Sequence, residues 1–312
     1  LKLLVFASDE FAIEPIRSLY QSKHEVIALA GSPDRPAGRG LNLARTPALE
    51  EAERLGIKII QLESLSPDEL EKHAINLTWD VGLVVAFGRI IPPWLLAIPP
   101  KGFINLHPSL LPRYRGAAPI ERAIMSGASI TGVTTIMMNE KLDAGDIIAH
   151  IEVPILEDDT AKTLCERLSR AGARLLVETL DALEEGSLKL IPQEEEKATY
   201  APPIRPEDCL IDWGEPAEKL ERKIRALNPK PGAYTYFRGK RLKIWSARVT
   251  DVPQEGEPGT IQEIRGEGFI VNTGSFGLQP LIVQLEGRKS LNSAEFLRGQ
   301  RIRSGERFNL RP

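Results

Sequence analysis

The stretch Val81-Gly82-Leu83-Val84-Val85-Ala86 is apolar at every position. A strand with one wet face would alternate apolar and polar residues. A run without alternation has both faces covered, the condition of a central strand in a parallel sheet layered with helices. Outward from it, Lys2–Ala7, Val26–Gly31, Ile57–Gln61 and Phe103–Asn105 are short runs of the same character, separated by helical patterns. That alternation predicts an α/β fold, a Rossmann-like, mostly parallel sheet with helices on both faces. Helix ends are marked as well. Ser66-Pro67-Asp68-Glu69 combines an N-cap serine, a proline at the first helical position and a glutamate three residues on, while Arg54-Leu55-Gly56 supplies a glycine stop. Thr131–Met138 and Ile147–Ile155 add two strands, and Thr160 caps a long helix with Leu164, Leu168, Ala171, Leu175 and Leu183 on one face.

Further along, the pattern changes. Residues 190–206 hold Pro192, the acidic run Glu194–Glu196 and then Pro202, Pro203 and Pro206, a composition that predicts an extended, semi-rigid connector. Beyond it, one helix from about Pro216 to Leu227 precedes short strands at Tyr234–Arg238, Leu242–Val249, Thr260–Arg265, Phe269–Thr273 and Leu281–Gln284. Arg238-Gly239-Lys240 reads as a hairpin turn. These features predict a small C-terminal OB-like β-barrel domain, a fold that often carries nucleic acid. The expected division is therefore residues 1–189, a linker at 190–206 and a second domain at 207–312.

Composition narrows the class. With 42% hydrophobic and 27% charged residues the chain is an ordinary globular protein. No apolar run reaches the length of a membrane span, and Leu1–Ala7 reads as a first strand without a secretion signal. The expectation is a cytoplasmic monomer with no membrane partner. Cys165 and Cys209 have no second Cys or His at metal-ligand spacing, so no metal site is expected. Net charge is −3, but its distribution is uneven. Residues 1–205 carry 22 Lys+Arg against 29 Asp+Glu; residues 206–312 carry 18 against 14. A basic C-terminal part suits a polyanionic partner, although a merely basic surface would look the same.

The chemistry concentrates in two tracts. Asn105-Leu106-His107-Pro108 lies at the end of a strand, where ligands of open parallel sheets bind, and Pro108 holds His107 extended. Asp143, in Leu142-Asp143-Ala144-Gly145-Asp146-Ile147-Ile148, follows the strand Thr131–Met138 and is expected to emerge at the same edge. Each residue has a plain alternative: a structural histidine, an Asn cap, an Asp-Gly turn. An amide, an imidazole and a carboxylate beside an arginine-bearing, proline-rich loop nevertheless suit acyl transfer to an amine. The first strand runs into Ala7-Ser8-Asp9-Glu10-Phe11, not G-x-G-x-x-G, which weighs against a dinucleotide-dependent oxidoreductase.

The tracts Pro33–Gly40, Asn105–Pro119 and Leu142–Ile148, with Ile211-Asp212-Trp213 and Ile224–Pro229, resemble in this order the methionyl-tRNA formyltransferase family of folate-dependent formyltransferases. The resemblance spans nearly the whole chain. It implies transfer of a formyl group from 10-formyltetrahydrofolate to the α-amino group of methionyl initiator tRNA, for translation initiation. Asn105, His107 and Asp143 match the family's catalytic set. Asn105 and a protonated His107 would stabilise the developing oxyanion, while Asp143 would keep His107 charged and accept the amine proton. Phe87, Gly88, Arg89, Ile90 and Ile91, with Ser109, Leu110, Leu111 and Pro112, match segments that line folate; without the resemblance, Ile90 and Ile91 read as core. For tRNA the polar loop at 32–47 offers Arg35, Arg39 and Arg45, of which Arg39 matches the family arginine that reaches the acceptor end, and Arg222, Lys223, Arg225, Lys230, Arg238, Lys240 and Arg241 further on are candidates for phosphate contact. Two departures stand out. Leu41 and Asn42 occupy positions where many relatives have lysines, and Ala7-Ser8-Asp9-Glu10-Phe11 replaces a Gly-Thr-Pro-Asp-Phe-like turn. Competing readings are a formyltransferase acting on an amino sugar nucleotide, a 10-formyltetrahydrofolate hydrolase, and a non-catalytic RNA-binding protein.

Overall fold

The computed structural model describes residues 1–37, 42–74, 78–253, 256–265 and 268–311. They form two compact units. The first comprises Leu1–Pro119, Ile130–Pro154 and Cys165–Pro202; the second comprises Ile120–Ser129, Ile155–Leu164 and Pro203–Pro312.

Up to residue 185 the chain forms, in order, β1 (Lys2–Ala7), α1 (Ile13–Gln21), β2 (Glu25–Gly31), β3 (Arg35–Ala37), β4 (Asn42–Ala44), α2 (Pro47–Arg54), β5 (Ile59–Gln61), α3 (Pro67–Ala74), β6 (Val81–Val85), α4 (Pro93–Leu96), β7 (Phe103–His107), α5 (Pro119–Ser126), which falls in the second unit, β8 (Ile130–Met137), β9 (Asp146–Pro154) and α6 (Ala161–Glu185). Seven strands make one sheet in the order β5-β2-β1-β6-β7-β8-β9, and β3 pairs with β4 as a separate hairpin. The run from β5 to β7 is parallel, while β8 is antiparallel to β7 and β9 to β8.

β6 is buried at all five positions, as its unbroken apolar run requires. Alternate residues sort to the two faces. Leu4, Phe6, Ala28, Ala30, Ile60, Val84 and Phe103 share a core with Leu70 of α3 and Leu95 of α4. Gly82 makes room for the Phe103 ring on that side, since a Cβ there would stand 2.3 Å from it. On α6, Ser169 donates to the Phe11 carbonyl and Thr179 meets Thr135 of β8. The expected caps are present: Ser66 accepts from the Glu69 N–H, Thr160 accepts from the Thr163 N–H, and Gly56 has φ +72°.

The second unit contains α7 (Ala217–Ala226), β10 (Ala233–Phe237), β11 (Lys240–Thr250), β12 (Ile261–Arg265), β13 (Gly268–Asn272), β14 (Gly277–Leu285), β15 (Leu291–Asn292) and α8 (Ser293–Gln300). Its strands form an antiparallel sheet ordered β10-β11-β14-β13-β12, with β15 on β14. Arg238 at φ +47° and Gly239 at φ +74° make the two-residue turn that suits a twisted hairpin. The sheet curls so that the C-terminal segment serves both edges: Asn309 exchanges hydrogen bonds with Tyr236, and Phe308 donates to the Gly259 carbonyl. Trp213, Phe237, Phe269, Phe296 and Phe308 fill the interior. This is the small curled barrel expected from the spacing of short strands. β15, α8 and the C-terminal closure were not foreseen.

Candidate active site

β7 runs two residues further than its apolar pattern indicated and ends at His107. Asn105 and His107, two residues apart on one strand, therefore project to the same face. Both are buried. Asp143 arrives differently. β8 is antiparallel to β7, with Met137 beside Ile104, so the chain leaves β8 at the far end of β7. The chain thus does not leave β8 at the strand-end edge, yet Asp143 arrives beside Asn105 and His107 as expected. The β8–β9 loop brings its carboxylate to Asn105.

The three groups meet closely. Asn105 Nδ2 donates to Asp143 Oδ1 at 3.1 Å, and the Gly116 N–H donates to Asp143 Oδ2 at 2.9 Å. His107 Nε2 lies 2.9 Å from the Tyr114 carbonyl oxygen. A carbonyl only accepts, so Nε2 carries a proton, and Nδ1 is the nitrogen left to gain or lose one. Nδ1 stands 3.7 Å from Asp143 Oδ2, an ion pair whenever the ring is charged. Asp143 itself has φ +47°, a left-handed conformation uncommon for a non-glycine residue. Gly116 has φ +118°, and a Cβ there would meet the Ala201 carbonyl oxygen at 2.8 Å.

Two segments expected to line folate follow β6 and β7. After β6, Ala86 and Gly88 take positive φ. Phe87 and Ile91 are buried, whereas Ile90 is 79% exposed. The reading of Ile90 as core is therefore corrected, while for Ile91 it holds. Arg89 donates to the Leu62 and Glu63 carbonyls and approaches the Phe87 ring. After β7, Ser109 is fully buried and donates to the Arg113 carbonyl, while Thr134 donates to the Ser109 carbonyl and accepts from the Leu111 N–H. Leu111–Pro112 is a cis peptide. An apolar side chain left in solvent next to buried aromatic and aliphatic neighbours fits a flat, partly apolar ligand.

The basic residues are mostly engaged. Arg35 is exposed on β3, and Arg39 lies outside the described residues. Arg45 pairs with Asp34 and Glu53. Lys223 donates to the Leu210 carbonyl, Arg225 pairs with Glu221 and donates to the Asp159 carbonyl, and Lys230 is exposed. The Arg222 guanidinium packs beside Gly127, where its buried Nε has no hydrogen-bond partner. Arg241, one of the basic candidates, belongs to a second group whose aromatic members were not foreseen. On the outer face of the β10–β11 hairpin, Tyr234 sits opposite Lys243 and Tyr236 opposite Arg241. The Arg241 guanidinium lies 4.4 Å from the Tyr234 ring centroid, and Lys243 Nζ lies 5.0 Å from that of Trp245. The period-two alternation of Ala233-Tyr234-Thr235-Tyr236-Phe237 was the available signal. Also unforeseen were Arg115, Gly116 and Gln193. Gln193 Nε2 donates to the carbonyls of Asp143 and Gly145.

Among the described residues no group of three or more His, Cys, Asp or Glu could hold a metal ion, and no helix is long and apolar enough to cross a membrane.

Residues 1–180 match the formyl transferase family, and residues 203–301 match the formyl transferase C-terminal domain. The methionyl-tRNA formyltransferase of Agathobacter rectalis is 39% identical over 310 residues, covering 99% of this chain and 100% of that protein. That of Moorella thermoacetica is 41% identical over 306 residues, 98% of each. Among solved structures, HypX from Aquifex aeolicus in complex with tetrahydrofolic acid shares the fold with a TM-score of 0.63 at 21% identity, over 95% of this chain and 46% of that one.

Proposed function

The chain belongs to the methionyl-tRNA formyltransferase family, and on that premise we propose that it transfers the formyl group of 10-formyltetrahydrofolate to the α-amine of methionine on initiator tRNA. The observation that carries this reading is the cluster of Asn105, His107 and Asp143, joined at 3.1 and 3.7 Å. 10-Formyltetrahydrofolate supplies the formyl group, and the segments Phe87–Ile91 and Ser109–Pro112 hold it. An α-amine has a pKa of about 7.7–8.0, so a neutral, nucleophilic fraction exists near pH 7. As the amine attacks, negative charge builds on the formyl oxygen. The second N–H of the Asn105 amide and the Nδ1–H of a charged His107 are the donors that stabilise it. Asp143 retains lone-pair capacity beyond its bonds to Asn105 and Gly116, and it takes the proton the amine must lose, directly or through one water. Collapse of the tetrahedral intermediate then re-forms the carbonyl and breaks the bond between the formyl carbon and N10, and that proton passes to N10 as tetrahydrofolate leaves.

Within this reading residues 1–189 do the chemistry, residues 207–312 hold RNA and residues 190–206 join them. Arg35, Arg39 and Arg45 serve the acceptor end, while Arg222, Lys223, Arg225 and Lys230 meet phosphates. Phosphate contacts of this kind position RNA without reading its sequence. The hairpin face of Tyr234, Tyr236, Arg241, Lys243 and Trp245 adds rings and cations suited to nucleotides. The enzyme works as a monomer in the cytoplasm.

The test is formyl transfer from 10-formyltetrahydrofolate to three acceptors: methionine on initiator tRNA, methionine on elongator tRNA, and a UDP-amino sugar. Rapid transfer to the initiator species alone is expected. Transfer to the sugar would keep the catalytic cluster and overturn the assignment of tRNA as acceptor. Release of formate with no acceptor required would turn the protein into a hydrolase.

A further inference from the structure

We infer that Gln193 is a positioning residue for Asp143, and that the segment around it is a brace for the catalytic loops rather than a passive connector. This rests on the reading of Asp143 as the proton acceptor.

Asp143 is carried by a loop, in a left-handed backbone conformation uncommon outside glycine, although aspartate is one of the residues that tolerate it. Such conformations cost of the order of 1–3 kcal/mol and persist only where neighbours over-determine them. Gln193 supplies that constraint. Its amide Nε2 donates to the Asp143 carbonyl at 2.8 Å and to the Gly145 carbonyl at 2.7 Å. Its Oε1 accepts from Arg115 Nε at 3.0 Å and Nη2 at 2.8 Å. Only an amide offers two donors on one side and an acceptor on the other at this length. Arg115 is 2% exposed, and its remaining donors grip Glu195 at 3.0 and 2.9 Å. That ion pair holds the Glu195 carboxyl below the usual carboxylate range.

The same segment also braces the loop after β7. The Arg115 N–H donates to the Thr199 carbonyl, the Ala201 N–H donates to the Arg115 carbonyl, and the Tyr114 N–H donates to Thr199 Oγ1. Tyr114 supplies the carbonyl that fixes the His107 tautomer, and Gly116 supplies an N–H to Asp143. Both loops that orient the cluster are therefore tied to residues 193–201. At its start, Ile191 exchanges hydrogen bonds with Ile147 of β9.

The test compares Gln193→Met, close in shape but without the amide, with the wild type and in an Asp143→Asn background. Asparagine tolerates the left-handed backbone at 143. A displacement of about 1 Å in a catalytic group costs about 10²-fold. Gln193→Met is therefore expected to lower kcat by about 10–100-fold, leaving KM for tRNA and the tetrahydrofolate Kd unchanged. In the Asp143→Asn background it should cause no further loss. Unchanged kcat, an equal loss in both backgrounds, or a folate Kd that weakens in step with kcat would each overturn the inference. If Gln193→Met does not fold, Gln193→Glu, which cannot donate to either carbonyl, is judged by the same comparison. Failure of the underlying reading looks different: Asp143→Asn alone would keep full turnover. An inactive Asp143→Asn beside a fully active Gln193→Met would remove the positioning role only.

Discussion

Asn105 and His107 reach the site by one route and Asp143 by another. The first two stand on β7, whose five residues are all buried, so their spacing along the strand and the sheet's own hydrogen bonds set their geometry. Asp143 sits on the β8–β9 loop, and what holds it are bonds from elsewhere in the chain: Asn105 and Gly116 on its carboxylate, Gln193 on its carbonyl. A strand brings its own rigidity. A loop must be given it, here by side-chain amides and a backbone N–H more than 20 residues away in sequence. The strand-borne pair should therefore be sensitive mainly to loss of its functional atoms, and the loop-borne carboxylate also to loss of its supports.

The largest expected effect falls on the strand-borne pair. Asn105→Ala or His107→Ala should lower kcat by about 10²–10³-fold, the usual loss for one oxyanion donor. Filter binding of tRNA should be unaffected. Equal loss of tRNA affinity would make these residues binding groups instead. Next comes Gly116→Ala, which adds a methyl at φ +118° against the Ala201 carbonyl and disturbs the N–H bound to Asp143. It should cost about 1–3 kcal/mol in a denaturant melt and lower kcat as well. Full turnover at reduced stability would show that Asp143 does not need this support.

A smaller effect is expected one shell out on the β7 side. Thr134→Val removes the bonds that pin Ser109 and Leu111, at about 1–2 kcal/mol. KM for 10-formyltetrahydrofolate should rise with kcat held. A fall in kcat at constant KM would move the Ser109–Pro112 segment from ligand binding into catalysis. The smallest effect on activity belongs to Glu51 on α2, away from both loops. Hydrogen bonds from Arg54 and then Arg17 hold its carboxyl down to about 2. An unfolded glutamate titrates near 4.3, so the folded form binds its proton less readily. The stabilisation is present above that pH and is lost as pH falls towards 2. Glu51→Gln should flatten the acid limb of the stability curve in this window, read by thermal melts, and leave neutral-pH turnover intact. A loss of turnover would mean that α2 communicates with the site.

Much of the site was readable before any coordinates. That Asn105, His107 and Asp143 come together was legible because strand ends, a proline after His107 and a resemblance to known enzymes all pointed at them. Their supports were not. Gln193 lies in a proline-flanked acidic stretch whose composition reads as a connector, and nothing local distinguishes a glutamine that grips two carbonyls from one in water. Arg115 likewise resembles a solvent-facing arginine of a basic loop, yet it is buried on Gln193 and Glu195. Ile90 shows the opposite case: an apolar residue next to a core strand that the fold leaves outside.

What the sequence by itself determined is local and periodic: the all-apolar β6, the caps at Ser66 and Thr160, the positive-φ turn at Arg238-Gly239, and the short-strand rhythm of the C-terminal unit. These follow from backbone sterics and side-chain period, which act within a few residues. Tertiary structure alone decided that β8 runs antiparallel to β7, that the β8–β9 loop carries Asp143 to Asn105, and that residues 193–201 hydrogen-bond to both that loop and the loop after β7. Those outcomes depend on hydrogen bonds between groups 27 to 86 positions apart, such as Gly116 with Asp143 and Arg115 with Ala201. No pattern within a strand or a helix encodes such a pairing; it exists only once the sheet has brought the loops together.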